Sequence, residues 1–261
     1  IKLKEIGSTV DGGFAEYIKI PKNVIQIGGL VSVPDNLSNE EAALLEPLAC
    51  CLNGFSHIGQ ITTEEEDKGG GKRSSSVVII GDGPIGLLHL QLSKLYGAKT
   101  IVVGKISARI QKAKSMGADE VIFADDDHQN SSSKETSDDV LELTGGIGAN
   151  VVIVATSNPA ALDLAIKIAA KNSRINIFAG MPKDNNNTIR IDPNWLHYNQ
   201  ISLIGSFSSK PDMLQEAARL SANKQIDLGK IISHRFSLDH IEEAIEVTEQ
   251  YYGLRAVINR F

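Results

Sequence analysis

The clearest chemical signal in this chain is Gly81, Gly83 and Gly86 at Gly-x-Gly-x-x-Gly spacing, with Asp82, Pro84 and Ile85 between them. The first glycine of such a motif permits a tight turn. The second lets the backbone approach a pyrophosphate, and the third lets a helix lie close on a strand. The apolar run 77–80 precedes the motif as a buried strand. Ile85, Leu88, Leu92 and Leu95 follow it as a stripe on one helical face. The free N–H groups and positive dipole end at the start of that helix attract phosphate. Strand, glycine turn and helix in this order point to dinucleotide binding.

The second site signal is a missing acid. In an NAD-binding fold a carboxylate about 20 residues past the glycines takes the ribose hydroxyls. That position here is Gly104, followed by Lys105, with Arg109 one turn into the next helix. Without the carboxylate a 2′-phosphate meets no repulsion, and a nearby cation favours it by charge-assisted hydrogen bonding. NADP is therefore expected in preference to NAD. The alternative, that Lys105 and Arg109 are solvated charges and both cofactors are accepted, stays open. Asp82 lies in the turn rather than at the end of the second strand and is not expected to decide the choice. Ala155, Thr156, Ala179, Gly180, Gly205 and Ser206 fall at the C-terminal ends of expected strands. Ligands bind at that edge of open α/β sheets, so these six are candidate nicotinamide contacts.

The elements that must hold these residues follow from periodicity. Strands are expected at 77–80, 100–103, 120–124, 150–155, 174–179 and 200–205, with helices after the glycine motif, Ser107, Ser137 and Asn158. This succession implies α/β architecture with a doubly wound, parallel, six-stranded dinucleotide-binding sheet. Upstream, residues 1–33 read as β-rich, with an alternating strand Phe14-Ala15-Glu16-Tyr17-Ile18-Lys19-Ile20 stopped by Pro21. Residues 38–58 read as a helix with Ser38 and Glu41 as a capping box and Pro47 bending or dividing it. Residues 62–76 read as a surface loop, and the acidic 125–139 stretch as a loop leading into a helix. After Ser206, one helix starts at Pro211 and a second near Ser237-Leu238-Asp239. A last strand covers Leu254-Arg255-Ala256-Val257-Ile258.

Composition narrows the function classes. The 261 residues carry a net charge of −6, which provides no basic footprint for nucleic acid or an anionic membrane. No apolar run reaches the about 18 residues that span a bilayer, and the first residues carry no signal-peptide core. The two cysteines, Cys50 and Cys51, are adjacent, which offers neither a disulfide framework nor CxxC metal spacing. They read as small buried side chains in a reducing, cytoplasmic protein. The six histidines show no metal-ligand pairing, and His197 beside Tyr198 reads as structural or interfacial.

Several runs join the glycine motif: Asp11-Gly12-Gly13-Phe14-Ala15-Glu16-Tyr17, Glu41-Ala42-Ala43-Leu44-Leu45-Glu46-Pro47-Leu48-Ala49, Ala113-Lys114-Ser115-Met116-Gly117-Ala118-Asp119 and Phe178-Ala179-Gly180. Together they resemble the zinc-dependent medium-chain dehydrogenases, the alcohol dehydrogenase superfamily. The Glu-Pro-Leu run is most similar to the polyol and threonine dehydrogenase branch. The resemblance implies a partial GroES-like, β-rich catalytic domain at 1–47, a dinucleotide domain at 48–206 and a return to the catalytic domain at 207–261. It implies a catalytic zinc with Glu46 as acidic ligand or water holder, and Arg255 as a contact to the cofactor phosphates. It also implies a homo-oligomer, dimer or tetramer, paired through the strand at 201–204.

The implied activity is hydride transfer between NAD(P) and a secondary alcohol, a polyol, sugar or sugar phosphate, with threonine as runner-up. The family's other zinc ligands, a Cys and a Gly-His-Glu motif, lie upstream of the first residue here, so the chain is expected to be a fragment. A zinc-free NADPH-dependent reductase of the quinone type and a truncated, non-catalytic dinucleotide-binding protein remain as alternatives.

Overall fold

A computed structural model describes residues 6–61, 65–66, 72–73, 75–124, 132–182 and 188–261. The chain divides into two compact units, Ile1–Ala49 with Ser209–Phe261, and Cys50–Ser208. The first unit opens with α1 (Lys22–Gln26), α2 (Asn39–Ala42) and the start of α3 (Leu45–Ile58). The second holds the rest of α3 and a short antiparallel ribbon of β1 (Glu65–Glu66) and β2 (Lys72–Arg73). It then alternates through β3 (Ser76–Ile80), α4 (Pro84–Leu95), β4 (Lys99–Gly104), α5 (Ser107–Ser115), β5 (Glu120–Phe123) and α6 (Ser132–Leu143). The alternation continues with β6 (Ala149–Val154), α7 (Ala160–Ile168), β7 (Ala169–Ile177), α8 (Pro193–Asn199) and β8 (Ser202–Gly205). The chain returns to the first unit with α9 (Pro211–Ala222), β9 (Ile232–Ser237), α10 (Ile241–Glu249) and β10 (Arg255–Arg260).

In the second unit six strands form one parallel sheet in the order β5-β4-β3-β6-β7-β8. Strands covered on both faces must be apolar throughout, and β3 is buried at every residue. The order reverses on either side of β3, so β3 and β6 flank the switch point, where open α/β sheets bind ligands at the strands' carboxyl ends. The core joins Val78, Ile80, Ile101, Val103, Val152 and Val154 of the sheet to Leu164, Ala165 and Ile168 of α7. Helix α4 runs under the glycine turn with Pro84 at its first position, where a missing N–H costs nothing. Its burial is wider than one stripe: Leu87, Leu88, Leu90 and Leu92 are all fully buried.

Most expected elements match within one or two residues, and the differences have local causes. The capping box is present: Glu41 N–H donates to Ser38 Oγ at 3.2 Å, and Ser38 N–H donates to Glu41 Oε2 at 2.9 Å. The expected 38–58 helix is divided at Ala43 and Leu44; Ala43 lies four residues before Pro47, where the proline ring clashes with a helical carbonyl. Pro47 itself sits in the first turn of α3, where its lost donor has no intrahelical partner. The alternating strand at 14–20 does not form. Among the described residues 6–33 there is only an Ile6–Val10 bridge and α1, since no neighbouring segment offers the ladder a strand needs. Much of 62–76 and the start of 125–139 lie outside the described residues.

In the first unit β9, which periodicity did not mark, pairs in parallel with β10, with α10 between them in sequence. Asn259 Nδ2 donates to Glu40 Oε1 at 3.0 Å, and Arg235 Nε lies 3.6 Å from the same oxygen, which ties α2 to both strands.

Candidate functional site

The glycine turn connects β3 to α4 at the carboxyl edge of the sheet. Gly81 has φ +126°, a conformation that L side chains rarely adopt, and a Cβ there would stand 2.8 Å from the Ala155 carbonyl oxygen. Its N–H donates to Val103 O at 2.8 Å, while Ala155 N–H donates to Ile80 O at 2.9 Å. The turn is therefore pinned between the ends of β4 and β6. A Cβ on Gly86 would overlap the Gly81 carbonyl oxygen, so glycine sets how closely α4 lies on the turn. Gly83 is different: a Cβ there would meet only Arg109 Nη1, at 3.9 Å. The backbone at Gly83 and the first turn of α4 thus present an open cradle with free helix-end donors, which fits a pyrophosphate.

The other residues of the second unit gather along the same edge. Gly104 ends β4 and Lys105 follows it, exposed. Arg109 is the third residue of α5 and is 8% exposed, so it is not a solvated surface charge. Ala155 and Thr156 follow β6. Ala179 and Gly180 follow β7, where the N–H groups of Phe178 and Ala179 both donate to Val154 O. Gly205 ends β8, and Ser206 Oγ donates to Asn176 Oδ1 at 3.0 Å. The amide of Asn176, fully buried in β7, in turn donates to Gly54 O of α3 at 3.2 Å. That chain of contacts fixes the loop after β8.

Glu46 and Arg255 belong to the first unit. Glu46 is the second residue of α3 and is exposed; Arg255 opens β10, and its carbonyl accepts from Ser233 Oγ at 3.2 Å. A catalytic zinc needs three protein ligands beside its open position. Among the described residues no three His, Cys, Asp or Glu side chains come together in a group that could hold a metal. The described residues alone therefore do not make up the three-ligand set of a catalytic zinc, and Glu46 is the one residue here that the resemblance assigns to it.

One reading of the sequence is corrected. Asp82, assigned to the turn and away from the end of β4, in fact reaches that end. Its Oδ2 accepts the N–H of Lys105 at 2.9 Å and that of Ile106 at 2.7 Å, and the residue is 8% exposed. Proximity in the fold, not along the chain, decides what a side chain can touch. The sequence did carry a signal, an acid in the turn matched by a glycine at the strand end, the only residue type that leaves room for it.

His89 of α4 is another buried polar group that sequence reasoning missed. Its ring stacks on Phe55 at 5.5 Å and meets the edge of Phe178 at 4.6 Å, with neither nitrogen hydrogen-bonded. Complete burial pushes its pKa down to about 3, which keeps the ring neutral. Cys51 is fully buried in α3 and Cys50 partly so, neither of them in a disulfide. His197 is exposed and lies against Tyr198 at 4.9 Å.

Comparison with known proteins agrees with this architecture. The zinc-binding dehydrogenase family model matches residues 84–223, more than half of the chain. Sorbitol dehydrogenase of Bacillus subtilis (strain 168) is 27% identical over 243 residues, covering 93% of this chain and 61% of its own length. D-arabitol-phosphate dehydrogenase of Enterococcus avium is 27% identical over 260 residues, covering 98% of this chain and 66% of its own length. A protein assigned as a zinc-binding dehydrogenase from Sinorhizobium meliloti 1021, solved bound to NADP, superposes with a TM-score of 0.75 at 28% identity. That match covers 92% of this chain and 64% of the solved one. The chain thus spans between three fifths and two thirds of the length of these relatives. With its sheet order, its glycine turn and the family match across 84–223, the chain belongs to the zinc-binding dehydrogenase family.

Proposed function

We propose that this chain supplies the NAD(P)-binding part of an oxidoreductase that transfers a hydride between the nicotinamide and a secondary alcohol or its ketone. The observation that carries the reading is the open cradle at Gly83, set at the switch point of a six-stranded parallel sheet. The cofactor, when bound, supplies the hydride chemistry. The chain's own residues do the rest: the N–H groups at the start of α4 hold the pyrophosphate, and the loops after β6, β7 and β8 flank the nicotinamide. NADP is the preferred cofactor and NAD the alternative, on the strength of Gly104, Lys105 and the buried Arg109, and of the NADP-bound relative.

The substrate class is a polyol, sugar or sugar phosphate, supported by the names of the sorbitol and arabitol-phosphate relatives. Residues 48–206 serve cofactor binding in this reading, and 1–47 with 207–261 serve the catalytic, GroES-like part. Glu46 is the residue of this chain assigned to the metal, and Arg255 to the cofactor phosphates. The strand at 201–204 is the pairing edge of a homo-oligomer, because an apolar sheet edge left open invites a partner. No helix among the described residues is long and apolar enough to cross a membrane. Cys50 and Cys51, which form no disulfide, suit a reducing cytoplasm.

Titration of the purified chain with NADPH and NADH, followed by Trp195 quenching and by calorimetry, tests the reading. Saturable binding, tighter for NADPH, is expected. Binding of neither cofactor would overturn it.

A further inference from the structure

The glycine turn holds an acid that dinucleotide binding does not itself require. Asp82 Oδ2 accepts the N–H groups of both Lys105 and Ile106, the two residues that precede α5. Helix α5 has no cap of its own: Ile106 occupies the N-cap position and has no side-chain oxygen. The Asp82 carboxylate, from a different element, takes the N–H of that N-cap residue and of its predecessor, and places a negative charge at the positive end of α5. Ile106 O in turn accepts the N–H of Arg109 at 2.8 Å and of Ile110 at 2.9 Å, so the same residue sets where Arg109 leaves the helix. Arg109 Nη1 then lies beside Gly83 at the mouth of the cradle. On the other side, a Cβ at position 104 would stand 2.5 Å from Asp82 Oδ2 and 2.6 Å from its Cγ. The ribose-binding acid of the NAD type is thus excluded from position 104 by volume as well as replaced in sequence.

We propose that Asp82 is a specificity-determining positioning residue: by anchoring the 104–106 turn it keeps position 104 bare and holds Lys105 and Arg109 around the 2′ position of the cofactor ribose. The carboxylate acts through the turn. Its Oδ2, already shared by two backbone donors, organises the site, and discrimination against NADH comes from the two cations it positions. This inference rests on the dinucleotide-binding reading above.

The test uses calorimetric dissociation constants for NADPH and NADH with the 261-residue chain and two variants, Asp82→Ala and Asp82→Asn, with thermal midpoints to register folding. An asparagine Oδ1 can accept the same two N–H groups without the charge. Asp82→Ala is expected to weaken NADPH at least tenfold while NADH changes less than threefold, and Asp82→Asn to restore most of the NADPH affinity. Two outcomes overturn the proposal. One is an equal loss of both cofactors in a folded Asp82→Ala. The other is an Asp82→Asn variant that binds NADPH several-fold tighter than the native chain, which would make the carboxylate a repulsive element. Should Asp82→Ala not fold, the Asp82→Asn ratio alone decides. If the native chain binds neither cofactor, the dinucleotide reading itself has failed, a result distinct from either of these.

Discussion

Two stretches that carry apolar runs behave in opposite ways. In β3 every residue is buried, with Val77, Val78 and Ile79 fully so. In 6–37 no residue is buried, and Phe14, Tyr17, Ile27 and Leu30 are 68%, 89%, 66% and 57% exposed. Four of the five residues of β3 and five of the seven in the run 14–20 are apolar, so composition does not separate these two runs, but partners do. β3 has β4 on one side and β6 on the other, paired residue by residue. The alternating run at 14–20 has no ladder neighbour among the described residues and forms no strand. Hydrophobic pattern states which side chains can be buried; only a neighbouring element buries them.

The largest break in that comparison comes from adding one carbon to the glycine turn. Gly86→Ala drives its Cβ into the Gly81 carbonyl, and the backbone of a fully packed unit must yield. A loss of about 3 kcal/mol is expected, read from the urea midpoint, together with loss of NADPH binding. Tyr17→Ala, at an 89% exposed position, should change stability by less than about 0.5 kcal/mol. Comparable costs at the two sites would mean that 6–37 is packed in solution as tightly as β3, and the contrast would collapse.

His89 sharpens the comparison from inside the packed unit. Its pKa in the folded chain is lowered to about 3 by burial, against the ordinary value of about 6.5 when unfolded. The unfolded chain therefore takes up a proton that the folded chain refuses, and stability falls as pH drops below about 6.5. Over the 1.5 units down to pH 5 this amounts to about 2 kcal/mol, at about 1.4 kcal/mol per unit. His89→Leu removes the slope and two unbonded nitrogens, so its denaturation midpoint should hold steady from pH 6.5 to pH 5 while that of the native chain declines. Parallel declines in the two proteins would show that the ring is hydrated or paired in solution.

What was legible in the sequence divides along the same line. The glycine motif, the six strands and the capping box are local patterns, and each fixes its own geometry within about four residues. Asp82 was misread because its partners, Lys105 and Ile106, lie more than twenty residues away across a strand and a helix. His89 was missed because the stripe Ile85, Leu88, Leu92 and Leu95 implied one buried face. Phe55 and Phe178, from α3 and the end of β7, cover another face of α4. β9 lacked a clean alternation and exists through its pairing with β10. Glu46 and Arg255 are candidates through family resemblance alone.

The smallest effect tests whether a local signal can stand without surrounding burial. Ser38 caps α2, whose four residues include no buried one. Its hydroxyl accepts from Glu41 N–H at 3.2 Å and donates to Glu41 Oε2 at 2.7 Å, and its own N–H donates to that carboxylate oxygen at 2.9 Å. Ser38→Ala removes the side-chain acceptor for Glu41 N–H and leaves the reciprocal contact from the Ser38 backbone. A capping serine is worth about 1 kcal/mol where the helix it starts is part of the cooperative fold, and far less where the helix frays on its own. Glu40, in the same helix, holds Asn259 and faces Arg235, so α2 is tied to β9 and β10 and should unfold with them. The expected loss is therefore close to 1 kcal/mol in equilibrium urea unfolding of the first unit. A Ser38→Ala variant with an unchanged midpoint would assign α2 to the unsupported stretch before it, and the boundary between the two behaviours would move from residue 38 to the start of α3.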